Sequence, residues 1–235
     1  MSGANLTFTL DTATGRTRRP VAISTLVVAG WTGRDKAAME KHIVELEALG
    51  VPRPASTPLY YRIAASRLST DDAIEAMGGE SSGEVEFILV GLDGKLWVGT
   101  GSDHTDRKAE TIGITMSKQM CEKPVAATLW PMDEVAGHWG KLVLRSWRVE
   151  NGARTLYQEG PVTTMQDPLA LIAGLPESPK TLPDGWLMFC GTLAAKGGIR
   201  PAPRFEFALE DPVRGRTISH GYDIVSLPIA ENPAA

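Results

Sequence analysis

The sequence has few cysteines, no long apolar run and no block of basic residues, and each absence excludes a class of protein. Cys121 and Cys190 are the only cysteines among 235 residues, which is too few for a disulfide framework, so we expect two free thiols. The longest apolar stretch, residues 21–30, is interrupted by Ser24 and Thr25 and is shorter than the roughly 20 residues that cross a bilayer. The N-terminal residues lack the basic start and apolar run of a signal peptide. The sequence therefore predicts a cytoplasmic protein with no membrane partner.

Charge of either sign is not concentrated anywhere along the chain. Lysine and arginine number 24 and aspartate and glutamate 28, which gives a formal net charge of −4. Without a cluster of lysine and arginine to neutralise phosphates, we expect no nucleic-acid partner. The apolar fraction of 43% is that of a folded globular protein with a hydrophobic core.

The first 68 residues predict a small α+β unit. Two strands over residues 6–10 and 19–29 are joined by a polar turn near Thr14 and Gly15, and apolar residues at helical spacing predict a helix over residues 34–49. A strand over residues 59–63 follows a proline-rich linker. Beyond it, Ser69-Thr70-Asp71-Asp72 has the composition of a helix cap, which predicts a short helix up to Gly78.

After Gly83 the pattern is dominated by strands. They are predicted at residues 84–91, 95–98, 125–129, 141–149, 156–162, 186–190, 204–209 and 217–224, with one helix at 167–174. We therefore expect a mixed α/β, mostly β fold with two parts: residues 1–68 as the small unit and residues 69–235 as a β-rich domain.

Two glutamates lie one residue apart in an otherwise apolar strand. Because side chains alternate along a strand, Glu84 and Glu86 point to one face and Val85 and Phe87 to the other. Asp93-Gly94 is a strong hairpin signal, and pairing Leu92 with Lys95 brings Glu84 opposite Asp103.

Three carboxylates on one face repel one another unless a cation or a shared proton neutralises them. Oxygen ligands without cysteine or histidine favour a hard ion, Mg²⁺ or Mn²⁺, over zinc. The alternative is a solvated edge strand, because two glutamates flanking one residue also occur on strand surfaces.

Two further groups of polar residues are candidates for chemistry. The segment Ser102-Asp103-His104-Thr105-Asp106-Arg107 follows a Gly-Thr-Gly stretch, which is typical of a functional loop at a strand end, although a hydrophilic turn has a similar composition. His42 and Glu45 are three apart on the predicted helix and share a face. A histidine oriented by a carboxylate can act as a general base, whereas an exposed ion pair would explain the same spacing.

The order of these motifs resembles the fumarylacetoacetate hydrolase superfamily, in a divergent, DUF2848-like branch. Gly33-Arg34-Asp35 with His42-x-x-Glu45 is similar to that family's G-R-N-Y-x-x-H-x-x-E segment, and Glu84-x-Glu86 and the 102–107 loop resemble its metal-binding segments. The resemblance covers residues 25–224 and also includes Ser117-Lys118 before Pro124, Asn151-Gly152 with Gln158 and Thr164-Met165, Leu182-Pro183-Asp184-Gly185, and Phe189-Cys190-Gly191-Thr192.

This resemblance implies a β-roll catalytic domain, a helix within the N-terminal unit that acts as a lid, and a homodimer. It implies Mg²⁺ or Mn²⁺ bound by Glu84, Glu86 and Asp103, and a substrate that is a small 2-oxo acid. His42, oriented by Glu45, would activate water to cleave a carbon–carbon bond of an acylpyruvate-like acid, with Lys118 as a further catalytic residue. The implied substrate-binding residues are Arg62, Arg107, Gly191 and Thr192.

Two other functions remain open from the sequence. A lyase, meaning a decarboxylase, hydratase or isomerase, would use the same metal site without water attack on a distal carbonyl. A non-catalytic protein that binds small acids could have the same shape.

Overall fold

A computed structural model describes residues 3–48, 53–176 and 181–230. The chain is mostly β. Its strands are β1 Ala4–Thr12, β2 Gly15–Ile23, β3 Thr25–Gly30, β4 Leu59–Ile63, β5 Leu68–Ser69, β6 Ala73–Met77, β7 Ser81–Ser82, β8 Val85–Leu92, β9 Lys95–Ser102, β10 Thr105–Asp106, β11 Lys123–Pro124, β12 Thr128–Pro131, β13 Val143–Glu150, β14 Ala153–Pro161, β15 Trp186–Thr192, β16 Arg204–Asp211 and β17 Arg216–Leu227.

The helices are short apart from the first. They are α1 Lys36–Ala48, α2 Arg107–Glu110, α3 Ile114–Met120, α4 Met132–Val135 and α5 Pro168–Ala173, with 3₁₀ helices at Ala65–Arg67, Ala136–Lys141 and Val162–Thr164. No helix in the described ranges is both long enough and apolar enough to cross a membrane.

Two sheets form the framework. The larger has eight strands in the order β2-β1-β12-β9-β8-β15-β3-β4, and the smaller has five in the order β14-β13-β16-β17-β6. One core lies between them and includes Phe87, Leu89, Leu144, Phe205 and Tyr222. A second core lies on the other face of the larger sheet and is formed by residues such as Phe8, Ile23, Ile88, Val90 and Phe189. Strand β8 lies in the interior of the larger sheet, between β9 and β15. A core covers each of its faces, and none of its residues is exposed.

The hairpin of β8 and β9 has the predicted register. Leu92 pairs with Lys95, and the same register continues to Val85 and Ser102. Asp93 and Gly94 at its tip have φ values of 56° and 67°, which is the left-handed backbone of a two-residue type I′ turn. Because β8 is central and buried, the interpretation of Glu84 and Glu86 as residues of a solvated edge strand is wrong.

Three local predictions need correction. Residues 69–78 form no helix: Ala73–Met77 is a strand that pairs with β17 and buries Ile74 and Ala76, so sheet pairing overrides the cap-like sequence. The strand predicted over residues 19–29 is two strands, because β2 pairs with β1 and β3 pairs with β15 and β4. The strand predicted at 125–129 begins at Thr128.

The predicted helix over 34–49 corresponds to α1. Its first turn is capped by Asp35, whose Oδ1 accepts hydrogen bonds from the backbone N–H groups of Ala37 and Ala38, both at 3.0 Å. The predicted division at residue 68 stays a prediction, and strands from both sides of that position share the larger sheet.

Candidate metal centre and cavity

Glu84, Glu86 and Asp103 come together at one end of the β8–β9 hairpin. Each offers a carboxylate oxygen, and these oxygens lie within 4.8 Å of one another. The backbone N–H of Asp103 donates to the carbonyl of Glu84 at 2.9 Å, which is the pairing expected from the register. Glu86 is 2% exposed and Asp103 is 0% exposed, so the cluster is buried inside the protein.

Neighbouring backbone and hydroxyl groups hold the cluster in place. The N–H of Gly191 donates to Oε2 of Glu86 at 2.6 Å. The hydroxyl of Ser102 accepts from the N–H of Glu84 at 3.1 Å, and Thr105 donates to the carbonyl of Asp103 at 2.9 Å. Gly191 has φ of 99°, and a Cβ there would lie 1.7 Å from Oγ1 of Thr32. Position 191 therefore admits only glycine.

Burial and neighbouring charge shift the three carboxyl groups differently. Burial raises the pKa of Glu86 well above its ordinary value, and the charge of Asp103 raises it further. Burial also acts to raise the pKa of Glu84, but Arg107 and Lys118 outweigh it and lower that pKa. For Asp103, the charges of Lys118 and Lys123 outweigh burial and lower the pKa. In the metal-free protein Glu86 is thus the carboxyl that keeps its proton most readily.

Two buried lysines face the cluster. Lys118 Nζ donates to Asp103 Oδ2 and lies 3.4 Å from Glu84 Oε2. Lys123, fully buried, donates from Nζ to the carbonyl of His104, and the same Nζ lies 3.1 Å from Asp103 Oδ1. That contact lacks hydrogen-bond geometry, so Oδ1 of Asp103 is a buried oxygen without a hydrogen-bond donor.

The cluster fits a hard divalent cation. Its donors are carboxylate oxygens on three side chains, and neither cysteine nor histidine supplies a donor atom within this group, which disfavours zinc. A cation bound by these oxygens would replace the proton on Glu86. Glu84, Glu86 and Asp103 are therefore the residues that would hold Mg²⁺ or Mn²⁺.

The 102–107 segment is buried rather than a hydrophilic surface turn. Arg107 donates to Ser82 at 2.7 Å, to Glu84 at 2.9 Å and to Glu110 at 2.9 Å. The guanidinium is thus occupied by groups of the protein. Arg107 positions Glu84 and also lies on the wall of the cavity described next, and its substrate-binding role stays a prediction.

A cavity of about 600 Å³ opens beside the carboxylates. Of the residues predicted to form the site, the structure places these on its wall: Glu84, Glu86, Arg107, Lys118, Gly191 and Thr192. Asp103 lies behind them, in contact with Lys118. The cavity volume is within the range of small-molecule sites, roughly 300–1,000 Å³.

Arg62 does not line this cavity. Strand alternation turns Tyr61 of β4 toward the cavity and Arg62 away from it. Arg62 instead donates to the carbonyl of Leu26 at 2.9 Å and to Thr25 Oγ1 at 3.1 Å. Its predicted substrate-binding role has no support in this geometry.

His42 and Glu45 lie on α1, but their side chains are outside the part of the structure that is described. Ala38 and Met39 of the same helix line the cavity. Position 42 follows them by four and three residues, so helical spacing puts it on the same side of α1.

Sequence reasoning missed several residues of the site. Lys123 directly precedes Pro124. The family resemblance points only to Lys118 as the lysine ahead of that proline. Trp31 lines the cavity with φ of 59°, a left-handed backbone that is uncommon for a large residue, and its side chain hydrogen-bonds to Tyr61. Trp31 comes just after the strand predicted over residues 19–29, and a position at the end of a strand is a signal for a functional residue. Nothing in the local sequence distinguishes Lys123 from a surface lysine.

Comparison with known proteins gives a family and a fold. Residues 29–222 match the model of a family described as protein of unknown function (DUF2848). No protein among those with curated descriptions matches the sequence.

Three solved structures illustrate the fold that this chain shares with known proteins. Yeast ynq8, a fumarylacetoacetate hydrolase family protein, is 16% identical, with a TM-score of 0.60 over 91% of this chain and 88% of its own. The 5-carboxymethyl-2-hydroxymuconate delta-isomerase from Mycobacterium smegmatis gives the same identity, TM-score and coverage. A 2-keto-3-deoxy-D-arabinonate dehydratase complexed with magnesium and 2,5-dioxopentanoate is 14% identical, with a TM-score of 0.61 over 89% of this chain and 77% of its own.

Proposed function

The chain belongs to the DUF2848 family and has the fold of fumarylacetoacetate hydrolase family proteins, and on that basis we propose that it is a divalent-metal-dependent enzyme that hydrolyses a carbon–carbon bond in an acylpyruvate-like 2-oxo acid. The observation that carries the proposal is the buried triad of Glu84, Glu86 and Asp103 beside a cavity of about 600 Å³. Arg107, Lys118 and Lys123 offset the charges of Glu84 and Asp103. A divalent cation that joined all three carboxylates would also offset the cost of ionising the buried Glu86. The dehydratase neighbour, whose structure is a complex with magnesium, supports a metal-dependent function for this fold.

The reaction consumes one water and breaks one bond. In an acylpyruvate, water adds to the acyl carbonyl, and the bond between that carbon and the CH₂ of pyruvate breaks. The electron pair passes to the pyruvate fragment as an enolate, which takes up a proton, and the acyl group leaves as a carboxylic acid. When bound, the cation supplies Lewis-acid stabilisation of the negative charge on the 2-oxo acid.

The residues of the chain would bind, orient and move protons. His42, one helical turn along α1 from the cavity-lining Ala38, would accept a proton from the attacking water, with Glu45 orienting its ring. Lys118, whose pKa is raised because Asp103 and Glu84 outweigh burial, stays positively charged and would stabilise oxyanions of the substrate. Gly191 orients Glu86 through its N–H, and Thr192 forms part of the wall.

The metal assignment is tested by ligand-linked stability. Mg²⁺ at a hundred times its dissociation constant would add about 2.7 kcal/mol to the free energy of unfolding, or about 5 to 10 °C in Tm. Glu86→Gln should abolish this shift, whereas Glu75→Gln, an exposed glutamate on strand β6, should retain it. A full Mg²⁺ shift in Glu86→Gln and in Asp103→Asn would refute the metal site.

The hydrolytic role is tested at His42. His42→Ala should lower the turnover of an acylpyruvate by about 10²- to 10⁴-fold, the usual contribution of a positioned base, while Mg²⁺ and oxalate affinity stay near wild type. His220→Ala, which removes a ring bonded to the carbonyl of Asp71, is the matched control. Full turnover by His42→Ala would show that position 42 has no part in the reaction.

A lyase is the second candidate. The isomerase and dehydratase neighbours show that this fold also carries reactions without hydrolysis. Decarboxylation of a 2-oxo diacid needs a stabilised enolate but no attacking water, so it should largely survive His42→Ala. Wild type that decarboxylates or dehydrates 2-oxo acids and leaves acylpyruvates intact would favour the lyase.

A further inference from the structure

Most of the charge in the cavity lies at its buried end, whereas Asp35 adds an exposed carboxylate. The described wall contains four carboxylates, those of Asp35, Glu84, Glu86 and Glu110, against two cations, Arg107 and Lys118. Both cations are already engaged, Arg107 by Glu84 and Glu110 and Lys118 by Glu84 and Asp103. No lining residue in the described ranges thus offers a cation beyond the carboxylate cluster.

Two polar side chains farther along the wall, those of Gln158 and Thr192, are also committed to partners within the protein. Gln158 donates to Thr192 Oγ1 and to the carbonyl of Leu193, and its Oε1 accepts from the N–H of Val85 at 2.9 Å and the hydroxyl of Ser146 at 2.8 Å. Thr192 donates to the carbonyl of Val85 at 2.8 Å. A ligand that extends past the carboxylate cluster could accept a hydrogen bond from Gln158 or Thr192 only by displacing these bonds.

The open end of the cavity is apolar. Met39 of α1 and the segment containing Ala194, Ala195 and Ile199 form this part of the wall. Ile199 is 55% exposed although it is a large aliphatic side chain. Glu86, by contrast, is 2% exposed at the charged end. Because the charged end is deep and the apolar end is open, a 2-oxo acid bound through its carboxylate would extend its remaining part across the aliphatic wall.

We propose that the substrate is a 2-oxo acid whose distal group is uncharged and apolar, such as an alkyl or aryl acyl group, and not a second carboxylate. This inference rests on the proposed function of the same site. A second carboxylate would be desolvated against aliphatic carbon without a partner, which is costly, and the excess of carboxylates on the wall would repel it. An apolar group gains roughly 0.8 kcal/mol for each buried CH₂.

Binding of substituted oxamates tests the proposal without requiring turnover. Oxamate has the adjacent carboxylate and carbonyl oxygens of a 2-oxo acid, and its nitrogen carries the distal group. N-butyloxamate and N-(2-carboxyethyl)oxamate are of similar length and differ in the charge at the far end. With Mg²⁺ present, calorimetry should show N-butyloxamate binding at least about tenfold more tightly. Equal affinity, or tighter binding of the carboxyethyl compound, would overturn the inference.

A parallel titration with oxalate separates this result from the proposed function. Oxalate lacks a distal group, so its Mg²⁺-dependent binding reports only on the metal site. If oxalate fails to bind with Mg²⁺, the proposed function fails and the inference fails with it. If oxalate binds and N-butyloxamate has no advantage, only the inference fails.

A charge substitution locates the distal group. Ile199→Lys adds a cation at the open end, at a position exposed enough to accept lysine, and should reduce the preference for N-butyloxamate by about tenfold. Val213→Lys changes an aliphatic residue of similar exposure, 59%, outside the cavity wall and should leave the preference unchanged. If Ile199→Lys retained the wild-type preference for N-butyloxamate over the carboxyethyl compound, this result would contradict the placement of the distal group against this wall.

Discussion

Asp103 is the most constrained carboxylate in the site. It has no solvent exposure, and the ammonium groups of Lys118 and Lys123 approach its two oxygens from different elements, α3 and β11. Burial lowers the pKa of Lys123, although the charge of Asp103 opposes that effect. A buried ion pair has a small net effect when intact, but loss of one partner is expensive because the other charge stays buried.

Lys123→Met should therefore destabilise the protein strongly. We expect a loss of about 3 to 5 kcal/mol in the free energy of unfolding, measured by urea denaturation, because one of the two cations facing Asp103 disappears. Lys108→Met, an exposed lysine on α2, should change it by less than about 0.5 kcal/mol. A loss in Lys123→Met as small as in this control would mean that Lys118 alone neutralises Asp103.

Glu84 and Glu86 show how far residue spacing predicts a site. The alternation of the strand and the Asp93-Gly94 turn were sufficient to place both glutamates opposite Asp103, because hairpin register depends on local turn chemistry. Burial of the strand was not predictable from these residues. It depends on β15 and β9, which flank β8 in the sheet, and β15 is about a hundred residues away in the sequence.

At the scale of elements, Asp211 joins three parts of the chain at the β16–β17 turn. Its buried carboxylate accepts from the N–H of Arg214 at 3.1 Å and from Nε of Arg216 at 3.2 Å, and it lies 2.9 Å from Nε2 of His138 in the 3₁₀ helix Ala136–Lys141. Burial would raise the pKa of Asp211, but these partners outweigh it and lower the pKa. The folded state therefore favours the ionised form.

This shift gives the stability a defined pH dependence. Because the pKa of Asp211 is lower in the folded state, its contribution is fully present above the ordinary value of 3.8 and is lost as the pH falls through the folded-state value. At pH 7, Asp211→Asn should lower the free energy of unfolding by about 1.5 to 3 kcal/mol, with a smaller loss at pH 3.

Urea denaturation at both pH values measures this difference. Asp223→Asn, which removes an exposed partner of Arg204, should show little loss at either pH. An equal loss for Asp211→Asn at pH 7 and pH 3 would show that ionisation of Asp211 does not contribute to stability.

Over the whole molecule, the larger sheet interleaves early and late strands. β1 pairs with β12, and β3 pairs with β15, both in parallel. The strands of the first 68 residues and strands from the rest of the chain therefore contribute side chains to the same second core. Unfolding one part would expose the edge and the apolar face of the other.

We therefore expect one cooperative thermal transition. Differential scanning calorimetry should give a van't Hoff enthalpy equal to the calorimetric enthalpy, and Mg²⁺ should move the whole transition rather than a part of it. Two resolved transitions, only one of which responds to Mg²⁺, would instead support separate units divided near residue 68.

The sequence by itself determined the parts of this protein that depend on neighbours in the chain. Period-two alternation predicts most strands of residues 84–224, Asp93-Gly94 sets the hairpin register, and apolar spacing predicts α1, because each feature requires only local backbone geometry. The carboxylate triad follows from the same local rules, and the order of motifs identifies the family.

Only the tertiary structure decided which side chains share the cavity. Residues 73–77 become a strand because β17 provides a pairing partner, and Arg62 turns away from the site because β4 joins the sheet edge beside β3. Lys123 contacts Asp103 because β11 pairs with β5 and passes close to β9. These arrangements depend on contacts between distant segments, and the free energy of such contacts exceeds the local preferences that a sequence pattern reports.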